Sequence, residues 1–289
     1  MKIGVSSYSF SQLVNSGQMK QIEVVAKAKE LGFDVIEFST LSVPEGEDLG
    51  SFAAKLREEC EQVDIEIGNY TISADFLKNS DGWQGEVERL KAEVQIAEIL
   101  GSPGMRHDAT WGFPADFKGA RSFADALPTL IKGCREVSEY ASERGIKTMV
   151  ENHGYFCQDS DRVERLVSGV DHSNFGILLD IGNFLCVDED PAQAVGKLLP
   201  YVSHVHAKDF HVKNGSLANP GQGWFESRAG NYLRGAIVGH GEVPVTQCLR
   251  LLKKANYNGI ISIEFEGMED PIKGISFGLE NLKRELSSL

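Results

Sequence analysis

A chain of 289 residues with 42% hydrophobic content is able to bury a large core and is too apolar to stay disordered. Its formal charge of −13 argues against nucleic acid or an anionic membrane as partner, because both would be repelled. No apolar run approaches the length that spans a bilayer, and no basic-then-apolar leader precedes the first strand pattern, so a cytoplasmic protein is expected. Cys60, Cys134, Cys157, Cys186 and Cys248 are dispersed without paired spacing, which fits reduced thiols better than a disulfide framework.

Strand patterns begin near Ile3, Val35, Ile65, Gly104, Thr148, Gly176, Val202 and Ile260. An amphipathic helical stretch follows each, near 18–31, 51–62, 85–100, 123–144, 162–167, 191–199, 245–255 and 273–286. Gly32, Gly101 and Gly145 stand where three of these helices would end in left-handed caps. Eight alternating units predict an α/β fold, a single (β/α)8 TIM barrel over residues 1–289. One segment, 210–242, resists assignment. It is rich in Gly and Asn, carries Trp224, Arg228, Tyr232 and Arg234, and follows the seventh strand. A connection this long inside a domain reads as a lid or binding loop.

Four strands of the second half end in residues able to ligate a metal. They are Lys147-Thr-Met-Val-Glu151, Gly176-Ile-Leu-Leu-Asp180, Val202-Ser-His-Val-His206 and Gly259-Ile-Ile-Ser-Ile-Glu264. A parallel barrel gathers its strand ends at one mouth, so these four groups should meet there. Three carboxylates and one imidazole form a mostly anionic pocket suited to a divalent cation. Strand alternation places His153 on the face of Glu151, Lys208 on that of His206, and Glu266 on that of Glu264. His204, one layer deeper than His206, reads as a hydrogen-bonded core histidine, and Glu266 as a solvated carboxylate at the rim. His107 ends the fourth strand and faces either the pocket, as a substrate contact, or the core. Gly239-His-Gly241 is too short to count as a phosphate-binding signature.

With these motifs in order along the whole chain, Val-Glu151-Asn-His153, Leu-Leu-Asp180-Ile-Gly-Asn183, His204-Val-His206-Ala-Lys208-Asp209 and Ile-Ser-Ile-Glu264, the sequence resembles the sugar phosphate isomerase/epimerase family of xylose isomerase-like TIM barrels. The resemblance implies one divalent ion (Mn, Co, Mg or Zn) bound by Glu151, Asp180, His206 and Glu264. It also implies that Glu151 and Glu264 exchange a proton at a substrate carbon. Two departures stand out. The family's ketose 3-epimerases carry a histidine three residues after the aspartate, where this chain has Asn183. They also carry an arginine three residues before a Gly-x-Gly, and the nearest counterpart here is Arg234, five residues before Gly239.

The expected function is therefore a metal-dependent isomerase or epimerase of a small carbohydrate, working by proton abstraction beside a carbonyl through an enediolate. Expected substrate contacts are His107, His153, Asn183, Lys208 and Arg234, with Arg228 the second arginine candidate. A dehydratase would share the first half of that chemistry and then expel a β-hydroxyl. A metallohydrolase resembling endonuclease IV is a third reading. It would need three zinc ions and more histidines than this chain offers. Homo-oligomerisation is possible and no sequence stripe decides it.

Overall fold

The computed structural model describes residues 1–289. Strands β1 (Lys2–Ser6), β2 (Val35–Phe38), β3 (Glu66–Ile72), β4 (Gly104–His107), β5 (Lys147–Glu151), β6 (Phe175–Asp180) and β7 (Val202–Ala207) run parallel. The chain then leaves the barrel through β8 (Asp209–Lys213), β9 (Phe225–Glu226) and β10 (Tyr232–Ala236), and returns as β11 (Ile260–Ile263). Pairing of β1 with both β2 and β11 closes an eight-stranded barrel. The helices between strands are α1 (Ser11–Asn15), α2 (Gln21–Glu30), α3 (Leu49–Gln62), α4 (Gly82–Leu100), α5 (Phe123–Ser142), α6 (Ser160–Val170), α7 (Pro191–Leu198), α8 (Val245–Lys254) and α9 (Pro271–Ser287). None is long and apolar enough to cross a membrane.

The helices form where their apolar spacing and capping residues agree. In α8 the buried side chains are Val245, Cys248, Leu249 and Leu252, spaced three, four and seven residues along one face. Each Leu or Val buried in this way stabilises the fold by about 1.5–3 kcal/mol relative to exposure. Asp190 and Asp270 cap α7 and α9 through the N–H groups of Gln193 and Lys273, and Pro191 and Pro271 follow at the first helical position. Ser122 and Asp125 form a reciprocal capping box on α5. At the other ends, Gly32, Gly101 and Gly145 all adopt positive φ, as the sequence predicts.

Strand burial explains the inward geometry. Every residue of β2, β4 and β6 is buried, because helices cover the outside and side chains fill the inside. The pairing register slips between Ile36 and Glu37 and again between Ile177 and Leu178. Irregularities of this kind re-aim side chains near sites, and the first of them precedes Glu37, which faces the barrel interior.

Segment 210–242 is not an irregular loop. It holds most of a three-stranded antiparallel sheet in the order β8–β10–β9, with Arg234 opposite His211 and Leu233 opposite both Val212 and Phe225. The alternation in Asp209–Lys213 and Tyr232–Ala236 is short and separated by a long polar stretch, so its period does not stand out in the sequence. Phe210 and Leu233 pack with Cys186 in a small cluster apart from the main core. Asp209 fastens the base of this flap. Its carboxylate accepts from the backbone N–H groups of Phe210, Gly239, Gly241 and Val243 at 2.8–3.0 Å.

Candidate active site

Glu151 and Asp180 are the last residues of β5 and β6, His206 is next to last in β7, and Glu264 directly follows β11. Parallel pairing sets Asp180 beside His206 and Ser262 beside His206, so the strand ends deliver their side chains to one place. One ligand atom from each of the four lies within 4.8 Å of the others. His206 Nδ1 is 3.5 Å from Glu264 Oε2, 3.8 Å from Asp180 Oδ2 and 3.9 Å from Glu151 Oε1.

The other side of the imidazole fixes its tautomer. Nε2 lies 2.7 Å from Glu37 Oε1, so the N–H points at Glu37 and the Nδ1 lone pair at the three carboxylates. Glu37 also meets His204 Nε2 at 3.0 Å, and His204 Nε2 lies 2.9 Å from Ser262 Oγ. Burial works against ionising Glu37, but attraction to His206 and His204 overrides it and holds the carboxyl below its usual range.

The donor set fits a divalent cation. His206 Nδ1 and Asp180 Oδ2 are fully buried and accept no hydrogen bond. Asp180 Oδ1, by contrast, takes the N–H groups of Gly182 and Asn183 at 2.8 and 2.9 Å. A lone pair facing three anionic oxygens needs positive charge between them. The same demand appears on the ring itself: burial opposes its protonation, yet Glu37 and Glu264 push His206 well above the ordinary histidine range. One nitrogen and three carboxylate oxygens suit Mn, Co, Mg or Zn alike.

Two buried cations brace the carboxylates. Arg106 Nε is 2.5 Å from Glu151 Oε2, and Arg106 Nη2 is 3.0 Å from Asp108 Oδ1. Lys208 Nζ is 2.5 Å from Glu264 Oε2, 3.3 Å from Asp180 Oδ2 and 3.4 Å from Glu266 Oε1. Burial disfavours the Lys208 ammonium, but Asp180 and Glu264 keep it charged. The two glutamates are driven apart. Burial raises Glu151, whereas Lys208 and then His206 overcome burial at Glu264 and hold it well below the carboxylate range.

Above the cluster opens a pocket of about 200 Å³ lined by Tyr8, Trp111, Asp108, His153, Glu266 and a run of hydroxyls including Ser39 and Thr71. His153 Nδ1 lies 2.9 Å from Asp108 Oδ1, and its ring meets Trp111 edge-on at 5.0 Å. Burial lowers the proton affinity of His153, but the Asp108 hydrogen bond outweighs that and raises it.

The predicted contacts divide. His153 and Lys208 line the pocket. Asn183 bridges the cluster, donating to Glu151 Oε1 at 3.0 Å and accepting from Lys208 at 3.3 Å. His107 is corrected to the core. It is fully buried, lies 2.8 Å from the Asp108 carbonyl through Nδ1, and packs on Phe76 and Phe175. Burial lowers its pKa to about 4, so it is neutral. Its neighbour Arg106 takes the inward position instead, as alternation requires. Arg234 is likewise outside the pocket, 3.2 Å from Glu269, and Arg228 is bound to Asp159 and the Tyr155 carbonyl. Glu266 lines the pocket and is 30% exposed, at the rim yet paired with Lys208. Cys157 and Cys186 are buried thiols, each pushed up to about 12 by burial.

Glu37, Arg106 and Asp108 escaped the sequence reading. Glu37 carries a signal close to that of the other candidates, a carboxylate after a short apolar run (Val35-Ile-Glu37), one residue before the strand ends.

The family model described as xylose isomerase-like TIM barrel matches residues 25–285. An inosose dehydratase of Clostridium botulinum (strain Alaska E43 / Type E3) is 25% identical over 169 residues, 55% of this chain and 54% of that protein. The match thus spans about half the length of that curated relative. Among solved structures, D-psicose 3-epimerase of Clostridium cellulolyticum H10, with D-tagatose, superposes with a TM-score of 0.75 at 16% identity, covering 99% of each chain. The probable 3-DHS dehydratase of Bacillus anthracis involved in petrobactin synthesis gives 0.72 at 19% identity, covering 98% of this chain and 99% of its own. Likeness at this identity speaks for the fold alone. The strand-end motifs, the closed barrel and the match over residues 25–285 lead to one conclusion: the chain belongs to the xylose isomerase-like TIM barrel family.

Proposed function

We propose that this protein is an isomerase or epimerase that removes a proton from the carbon beside the carbonyl of a small polyhydroxylated ketone. The observation that carries the reading is the pair Glu151 and Glu264, brought into one cluster from strands separated by β6 and β7. A divalent ion held by Glu151, Asp180, His206 and Glu264 would supply Lewis-acid polarisation of the carbonyl. Lys208 keeps Glu264 ionised, the state in which a carboxylate can accept a proton. Glu151, in the same cluster, is the group that would return a proton. Arg106 and Asn183 fix the orientation of Glu151, and Lys208 fixes Glu264.

A second reading, a dehydratase, is favoured by one feature. His153, hydrogen-bonded to Asp108 on the pocket wall, adds a third proton carrier beyond the two glutamates. Interconversion of epimers has no use for it, whereas expulsion of a β-hydroxyl needs a donor at the leaving oxygen. The inosose dehydratase relative supports this reading as well. A nuclease has less support, given the net charge of −13 and a second group of possible ligands (Glu37, His204, His206) that shares His206 with the first.

Incubation with ketoses and inososes in deuterated water tests both. Deuterium at the carbon beside the carbonyl supports proton abstraction; an epimer or aldose product then marks an isomerase, and an unsaturated ketone marks a dehydratase. No deuterium in any compound, with metal bound, rejects both.

A further inference from the structure

The charges around the pocket carry an inference about its substrate that rests on the reading above. We infer that the site selects an uncharged polyhydroxylated ketone and rejects its phosphorylated or carboxylated counterparts.

Three basic side chains line the pocket, and each already has an acidic partner. Arg106 holds Asp108 and Glu151, Lys208 holds Glu264, Asp180 and Glu266, and His153 holds Asp108. The fixed cations Arg106 and Lys208 face the carboxylates of Asp108, Glu151, Asp180, Glu264 and Glu266. Carboxylates that ligate a metal are ionised, so these five against Arg106, Lys208 and one divalent ion leave one negative charge when His153 is neutral, and no net positive charge when it is protonated. The flap adds no free guanidinium. Arg228 pairs with Asp159 and Arg234 with Glu269, while Lys213 lies over the Trp224 ring.

A second observation is independent of this balance. Barrels of this architecture frequently bind phosphate on the backbone of the loops after their last strands. Here the N–H groups of Gly239, Gly241 and Val243, in the connection after β7, point at an anion, and that anion is the carboxylate of Asp209. The fit is close: a Cβ added at Gly241 would come within 2.2 Å of Asp209 Oδ1. These N–H groups are taken up by the chain's own carboxylate and are not free to bind a phosphate. What remains in the pocket for substrate is hydroxyl-rich and aromatic, with Ser39, Thr40, Thr71 and Ser73 beside Tyr8 and Trp111, a lining suited to neutral hydroxyl groups.

Calorimetric titration of the metal-loaded protein with a ketohexose, an inosose and their phosphate esters tests the inference, with deuterium exchange followed in the same compounds. The phosphate esters should bind at least about tenfold more weakly than the neutral compounds, and the gap should shrink as salt screens the repulsion. Glu266→Gln, which removes one negative charge at the rim, should narrow the ratio severalfold. Esters that bind as tightly as the neutral ketones, or inorganic phosphate that displaces a neutral ketone, would overturn the inference, as would failure of the neutral compounds to bind. Binding of neutral compounds without exchange would instead reject the proposed chemistry and leave the charge selection standing.

Discussion

Glu37 Oε1 lies 2.7 Å from His206 Nε2, on the side of the ring away from the three carboxylates that Nδ1 faces. The residue that aims the only nitrogen of the cluster therefore comes from β2, remote in sequence from every other group there. Glu37→Gln keeps the shape but offers one acceptor where two imidazoles compete. Metal affinity should fall roughly 10–100-fold with the fold intact. Chelator competition measures the affinity, and nitrogen-15 NMR of the His206 ring reports its tautomer. An unchanged affinity would reduce Glu37 to a core residue.

His206→Ala tests the cluster more severely, since no other nitrogen is available to it. Elemental analysis after mild chelation should find the variant depleted of metal under conditions where the parent protein keeps its ion. Full retention would reassign the ligand set.

Glu151→Gln and Glu264→Gln separate the two halves of the chemistry, because glutamine keeps one ligand oxygen but cannot take a proton. Each variant should retain part of its metal and lose about 10²–10⁴-fold in turnover. One of them should still exchange substrate hydrogen with solvent from a single epimer, through the glutamate that remains. Complete loss of exchange in both variants, with metal bound, would move the base to His153 or Lys208.

Replacing residues 215–223 of the flap with a short Gly-Ser linker leaves β8 and β10 paired and removes the stretch between β8 and β9. A roughly tenfold or greater fall in kcat/KM with unaltered metal content is expected if the flap helps enclose substrate. Unchanged kinetics on the true substrate would make the stretch dispensable.

Away from the mouth, buried Glu86 accepts from Asp75 N at 2.9 Å, Asn79 Nδ2 at 2.8 Å and Arg89 Nη2 at 2.7 Å. Burial opposes its ionisation, but the Arg89 and Asn79 hydrogen bonds prevail and hold it below the ordinary glutamate range. As pH falls the unfolded chain protonates at this position first, near 4.3. The stabilisation is therefore full above that pH and drains away as pH descends through the lower folded value. Glu86→Gln should cost about 1–3 kcal/mol at neutral pH and flatten the acid side of the stability profile. Urea midpoints between pH 3 and 7 check both parts.

The barrel and the convergence of its four strand-end residues were legible because periodicity and chain order encode them directly. Glu151, Asp180, His206 and Glu264 each close an apolar run, and a parallel barrel leaves such ends no other place to go. Orientation was harder to read. His107 and Arg106 are adjacent in a four-residue strand, and only the closed barrel decides which of them points inward. Glu37 follows a short apolar run in the sequence, but its meeting with His206 depends on closure of the barrel, which local pattern does not show. Arg234 looked like a substrate ligand because sequence does not reveal that Glu269 lies beside it. The flap sheet is built on pairings between short segments, with many residues between β8 and β9, and local pattern is weak at that range.

Phe210 and Leu233 of the flap pack with Cys186, from the connection after β6, in a small cluster that meets the main core through Leu185. With so narrow a junction, the flap is expected to open largely apart from the barrel. A patch so small holds only a fraction of the global unfolding free energy, so the flap is a candidate for sub-global opening while the strands beneath stay protected. Amide protons of Leu233 and Val212 should exchange with solvent far sooner than those of Leu179 or Val205. The same separation leaves this segment free to be rebuilt over evolutionary time, altering what enters the mouth without disturbing the scaffold that holds the ligands.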